Sequence, residues 1–138
     1  MTLEPGLAAE ITYVVAESDT AATYGSGLVP VLSTPHLIAL MEAVSQAVIE
    51  PHLAQGESAV GIHVDMKHLA ATPVGMEVRV RAELVEVNGR HLRFHVEAWD
   101  EVERVGEADH QRFVIDTARF MSRVAEKAGE RRAGCEAE

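Results

Sequence analysis

The chain opens on a short β-branched and aromatic run at residues 11–16 (ITYVVA), which predicts a strand. Residues 17–32 show no period and contain Gly25, Gly27 and Pro30. An irregular connection of that length in a compact domain points to a lid or a binding loop. In PHLIALMEAVSQAVIE, residues 35–50, Leu37, Ile38, Leu40, Met41, Val44, Ala47, Val48 and Ile49 occupy almost every side of a helical wheel. Such a helix is expected to be buried rather than to lie on the surface. Ser33-Thr34-Pro35 offers a capping hydroxyl, read as that of Thr34, and a proline for the first helical position. Pro51 disfavours helical geometry at Glu50 and marks the stop.

After the turn-like QGES the pattern changes from helical to two-residue periodicity. Strands are predicted at residues 59–70, 76–87, 90–100 and 104–119. In the second, Met76, Val78, Val80, Ala82 and Leu84 alternate with Glu77, Arg79, Arg81 and Glu83, the pattern of a sheet with one wet face. Asn88-Gly89 is a strong hairpin signal, and residues 101–103 suggest a second hairpin. The order of strand, buried helix and four antiparallel strands implies an α+β fold. Its natural packing is one apolar sheet face wrapped around a single long central helix, the hotdog arrangement. On this reading residues 1–121 form the domain. Residues 122–138 (SRVAEKAGERRAGCEAE) form a polar tail, helical at most for a short stretch.

A length of 138 residues suits one domain. With 47% hydrophobic and 25% charged residues, the composition is that of an ordinary globular protein. The formal net charge of −10 removes the basic footprint that nucleic-acid binding needs and disfavours anionic membranes. An anionic small molecule would need a local basic spot. No apolar stretch of about 18 residues offers a membrane span. The opening MTLEPGLAAE has no basic start or long apolar run, so no signal peptide is expected and the protein is read as cytoplasmic. The lone cysteine, Cys135, builds neither an internal disulfide nor a cysteine-based zinc site.

Three residues break these patterns. Glu42 shares a helix face with Ile38, Ser45 and Ile49, where an unpaired carboxylate is costly to bury. It is either an exposed residue on a contact face or a general base or nucleophile. His68 lies in phase with Ile62, Val64 and Met66 on the apolar side of its strand, opposite Gly61, His63, Asp65 and Lys67. It is either a satisfied core histidine or the partner of Glu42. Thr34 can cap the helix and also stand beside the free N–H groups and positive dipole end that polarise a carbonyl. His36, in the first helical turn, can approach the same pocket. Arg112 is open to two readings, an outward strand residue or a pocket cation. His91 and His95 lie four apart on a strand, which is not HExxH ligand spacing, and no metal or other cofactor is expected.

Taken together, TPHLIALMEAV, PHLAQGESAVGIHVDMKHLAATPVGMEVRVRAEL, VNGRHLRFHVEAWDEV and GEADHQRFVI resemble the fluoroacetyl-CoA-specific thioesterase family of hotdog enzymes. The resemblance implies hydrolysis of a small acyl thioester, with CoA as the expected carrier. It places the family's catalytic threonine, glutamate and histidine on Thr34, Glu42 and His68. Its pocket glycine falls on Gly61 and its acyl-site arginine on Arg112. The family's lid phenylalanines fall at about Gly25 and Leu28, and this loop has none. The resemblance therefore points to a short-chain or aryl acyl-CoA substrate, with His36 and Leu28 as further pocket candidates. It also implies a homodimer. A hotdog enoyl-CoA hydratase and a non-catalytic acyl-thioester-binding protein are the alternatives. The first lacks support from any D-x₄-H arrangement at the helix start.

Overall fold

The computed structural model describes residues 3–131. Strand β1 spans Ala8–Val14, β2 Glu57–His68, β3 Glu77–Asn88, β4 His91–Trp99 and β5 Arg104–Asp116. They form one antiparallel sheet in the order β1-β3-β4-β5-β2. A short helix, α1 (Ala21–Tyr24), and the long helix α2 (Thr34–Ile49) lie between β1 and β2. Helix α3 (Thr117–Gly129) follows β5.

The alternation read from β3 is observed: Val78, Val80, Ala82 and Leu84 are buried in the core. They meet Leu37, Leu40, Met41, Val44 and Val48 of α2 together with Phe94 and Val96 of β4. The wet face carries ion pairs such as Arg79–Glu10, Arg93–Asp109 and Arg104–Glu97, which contribute little individually. Both hairpins form. The first turns on Gly89 and Arg90 rather than on Asn88-Gly89, because Asn88 still pairs with His91. Gly89 takes the positive φ (63°) that a two-residue hairpin turn requires. In the second, the Asp100 carboxylate accepts the N–H groups of Val102 and Glu103.

Three expectations are corrected. Helix α2 is buried on one stripe only: Ala39, Ala43 and Ala47 are exposed, and Ile38, Glu42 and Gln46 are half-buried. Its apolar circumference thus exceeds what one sheet covers. The last strand stops at Asp116, whose side chain caps α3 by accepting the Arg119 N–H. That helix runs through the expected boundary at Ser122, and Cys135 lies outside the described residues. Strand β2 contains a bulge between Gly61 and His63, with Ile62 exposed. The bulge reverses the phase of the strand, so Gly61 joins Val64, Met66 and His68 on the helix side instead of opposing them.

Gly106 sets how close α2 comes to the sheet beside His68, its register partner on β2. A Cβ there would stand 3.0 Å from Leu37 Cδ2 and 3.1 Å from Met41 Cε. Gly106→Val is expected to lower unfolding free energy by about 1–3 kcal/mol, the usual cost of overpacking, and Gly106→Ala by less. Urea denaturation checks this; an unchanged midpoint for Gly106→Val contradicts the close helix–sheet approach.

Candidate active site

Two groups of polar side chains lie along the seam between α2 and β2. The first is at the helix N-terminus. Ser33, not Thr34, is the N-cap: its hydroxyl accepts the His36 N–H at 3.1 Å. Thr34 is thereby left free to make a different bond, and its Oγ1 lies 2.8 Å from His68 Nδ1. His68 Nε2 is buried without a hydrogen-bond partner among the described residues. Burial pushes the imidazole below its ordinary pKa, partly offset by a backbone hydrogen bond with Ala70. The pair stands in a cleft of about 320 Å³ whose walls include Ala21, Ser26, Val31, Ala70 and Ala71. Helix-end donors are fewer than expected. Pro35 has no N–H, His36 is capped by Ser33, and Leu37 N donates to the Ser33 carbonyl. Among the described residues the Thr34 N–H has no backbone acceptor.

The second group is two helical turns further on. Arg112 on β5 is 8% exposed, so it is not an outward strand residue. Its Nη2 donates to the Ala59 carbonyl at 3.0 Å, and its Nη1 lies 3.2 Å from His110 Nε2. Glu42 Oε2 is 3.9 Å from the same Nη1, and that side chain is 42% exposed. His110 is fully buried, with Nδ1 2.8 Å from the His63 carbonyl. Nδ1 therefore carries the proton, and Nε2 accepts from the arginine. Burial lowers the pKa of His110, and the adjacent guanidinium adds to this. Gly61 closes the group: a Cβ there would meet Glu42 Oε2 at 2.7 Å, Arg112 Nη1 at 3.3 Å and His110 Cε1 at 3.4 Å. The carboxylate occupies space that any other residue would fill.

The structure thus joins Thr34 to His68 and Glu42 to Arg112 and Gly61, but it keeps the two groups apart. Glu42 is eight residue steps along the helix from Thr34, roughly 12 Å of rise. His36 does not line the cleft; its ring nitrogens face Tyr24 and Asp19. Leu28 is 96% exposed and makes no wall. His110 was missed by sequence reasoning, although its place two residues before Arg112 on one strand face was a usable signal. Among the described residues no cluster of His, Cys, Asp and Glu is arranged to hold a metal.

Residues 15–118 match the family described as fluoroacetyl-CoA-specific thioesterase. This chain belongs to that family. It is 38% identical over 97 residues to the fluoroacetyl-CoA thioesterase of Streptantibioticus cattleyicolor, covering 70% of each chain. A solved structure of the fluoroacetyl-CoA thioesterase FlK superposes with a TM-score of 0.87 at 32% identity, over 92% of this chain and 98% of that one. A Thermus thermophilus hypothetical protein, described as a thioesterase superfamily member, superposes at 0.85 with 27% identity, over 94% and 98% of the two chains. The sheet curled on one helix is the hotdog fold that the sequence implied.

Half-buried His68 and buried His110 both have folded-state pKa values below the ordinary value of about 6.5. Their contribution to stability is therefore complete above that pH. It is lost as the pH falls, because the unfolded chain takes up protons that the folded chain refuses. Urea midpoints are expected to hold level above about pH 6.5 and to fall below it. His68→Gln and His110→Gln should each make the acid slope shallower. Slopes identical to wild type in both variants rule out this origin.

Proposed function

We propose that this protein hydrolyses a short-chain acyl-CoA in a composite site at a homodimer interface. Thr34 and His68 come from one subunit, and Glu42, Arg112 and Gly61 from the other. The observation that carries the reading is the 2.8 Å Thr34–His68 pair at the mouth of a cleft, with the carboxylate it needs held two helical turns away. A crystallised FlK variant is in complex with fluoroacetate and CoA, which supports an acyl-CoA as the substrate class.

A second copy closes the gap. Strand β2 is an edge of the sheet, and the Ala39–Ala43–Ala47 flank of α2 is exposed. An unpaired edge of this length invites pairing. A two-fold axis crossing β2 midway between Gly61 and His68 sets each His68 opposite Gly61 of the partner subunit, and it lays the two helices side by side. Glu42 of the partner subunit then faces Thr34 across the cleft.

In that site the Thr34 N–H and the helix dipole polarise the thioester carbonyl. The carboxylate attacks the carbonyl carbon, the C–S bond breaks to release the CoA thiolate, and water then hydrolyses the anhydride; or the carboxylate takes the proton of a water that attacks the carbonyl, the C–S bond breaks, and that proton passes to the departing thiolate. His68, its pKa lowered by partial burial, exchanges a proton with the Thr34 hydroxyl and keeps that hydroxyl oriented. Arg112, 3.9 Å from the carboxylate, keeps it within reach. The small side chains around the cleft suit a short acyl group, and no phenylalanine contributes to its wall.

Glu42→Ala and His68→Ala are each expected to reduce thiol release from the best acyl-CoA by about 10²-fold or more. Mixing the two inactive variants under subunit exchange should restore about a quarter of wild-type activity, since half the dimers are mixed and each carries one intact site. Wild-type rates in either single variant contradict the residue assignment. No recovery on mixing, with exchange verified by tagged subunits, contradicts the composite site.

A further inference from the structure

The segment that walls the cleft has its own fastening, and it runs through residues that the hydrolysis does not use. Asp19 is 4% exposed. Its Oδ2 accepts the Tyr13 hydroxyl at 2.7 Å and the Ala16 N–H at 2.7 Å. Its Oδ1 faces His36 Nε2 at 3.3 Å, too poorly aligned for a hydrogen bond but close enough to favour the proton on that nitrogen. Nδ1 is then an acceptor, and the Tyr24 hydroxyl donates to it at 2.8 Å. The His36 ring is further held between the Tyr13 and Tyr24 rings, with centroids 5.3 and 5.7 Å away.

Tyr24 ends α1, and α1 belongs to the stretch that supplies Ala21, Ser26 and Val31 to the cleft. The base of this stretch is tied to the body. Thr20 bridges to Leu32, Val31 bridges to Pro73, and Ser33 N donates to the Asp19 carbonyl. Among the described residues the remaining hydrogen bonds of residues 21–30 stay within residues 17–31, except the one from Tyr24 to His36. Apolar packing does not hold the tip, since Leu28 and Val29 are exposed. His36 is also two residues from Thr34 on the same helical turn. The fastening therefore ends on the element that carries the cleft's hydroxyl.

We propose that Asp19, His36 and Tyr24 form a latch that holds the 21–31 segment over the Thr34–His68 cleft and so limits the size of acyl group admitted. The three are positioning residues, and their effect on selectivity rests on the hydrolytic reading of the cleft. Aspartate stands beside one imidazole nitrogen, the other meets the tyrosine hydroxyl, and the tyrosine gives the segment a side-chain tie to α2.

The test uses the full-length protein and Tyr24→Phe, which removes the hydroxyl but keeps the ring. One hydrogen bond of ordinary net strength corresponds to roughly a two- to tenfold change in an opening equilibrium. Backbone amides of residues 21–31 should exchange faster with deuterium by that factor, while those of β3 and β4 are unchanged. The ratio of kcat/KM for a longer acyl-CoA to that for acetyl-CoA should rise several-fold, mainly through KM. His36→Gln should act similarly, and Tyr24→Phe combined with His36→Gln should add little to either single change. Unchanged exchange at residues 21–31 overturns the latch. Faster exchange with unchanged chain-length selectivity overturns its role in admission. If no thioester is hydrolysed by wild type, the hydrolytic reading fails, and the exchange measurement still decides the latch.

Discussion

A buried guanidinium is the constraint around which the rest of this site is arranged. Arg112 points inward from β5 and is nearly enclosed, where an unpaired charge would be prohibitively costly. Each neighbour answers that cost. Ala59 presents a carbonyl, and His110 presents a neutral nitrogen because its other one is committed to His63. Glu42 supplies the opposite charge at a looser 3.9 Å, leaving its carboxylate half in solvent and able to engage a second molecule. Gly61 must lack a side chain so that this carboxylate can lie over the strand. The β2 bulge turns Gly61 inward to make that space.

The hydroxyl–imidazole pair is organised by a different economy. A serine caps α2, so the threonine after it does not have to, and its hydroxyl is available to His68. Proline at the next position removes one competing donor, and in the proposed site the Thr34 N–H serves the carbonyl oxygen. These are local effects of the Ser-Thr-Pro order. The two groups are rigid on the same helix and cannot approach each other by side-chain motion, because several turns of hydrogen-bonded backbone fix their spacing. In the proposed site each of two copies of the chain therefore contributes one group. The apolar flank of α2 left open by one sheet is consistent with that requirement.

Much of the fold was legible because single periodicities governed long segments. The two-residue alternation of β3 and the proline-bounded apolar run of α2 each have one physical interpretation, and both hairpins formed close to where their turn residues lay. The reversal at Ile62 was not legible, since a bulge adds one residue without a marker in the pattern, and it inverted the inferred side of Gly61. The same ambiguity affected the cap, where two adjacent hydroxyls compete and tertiary contact with His68 decides which is used. His36 showed only that it lay near the helix start. Its direction depends on Asp19 and Tyr24, which lie in a stretch with no period to read. Helix α3 was under-read because its polar, glycine-containing sequence resembles a tail, whereas Asp116 supplies a cap that starts it.

The most direct test of the account is a crystal structure of the protein with an unreactive thioether or ketone analogue of a short acyl-CoA. The account predicts a dimer in which the analogue's carbonyl oxygen points at the Thr34 N–H of one subunit. The Glu42 carboxylate nearest the carbonyl carbon should belong to the other subunit, within about 3–3.5 Å or one bridging water, the reach of a reacting group. An analogue bound away from Thr34 and His68, or one that meets both groups within a single chain, would contradict it.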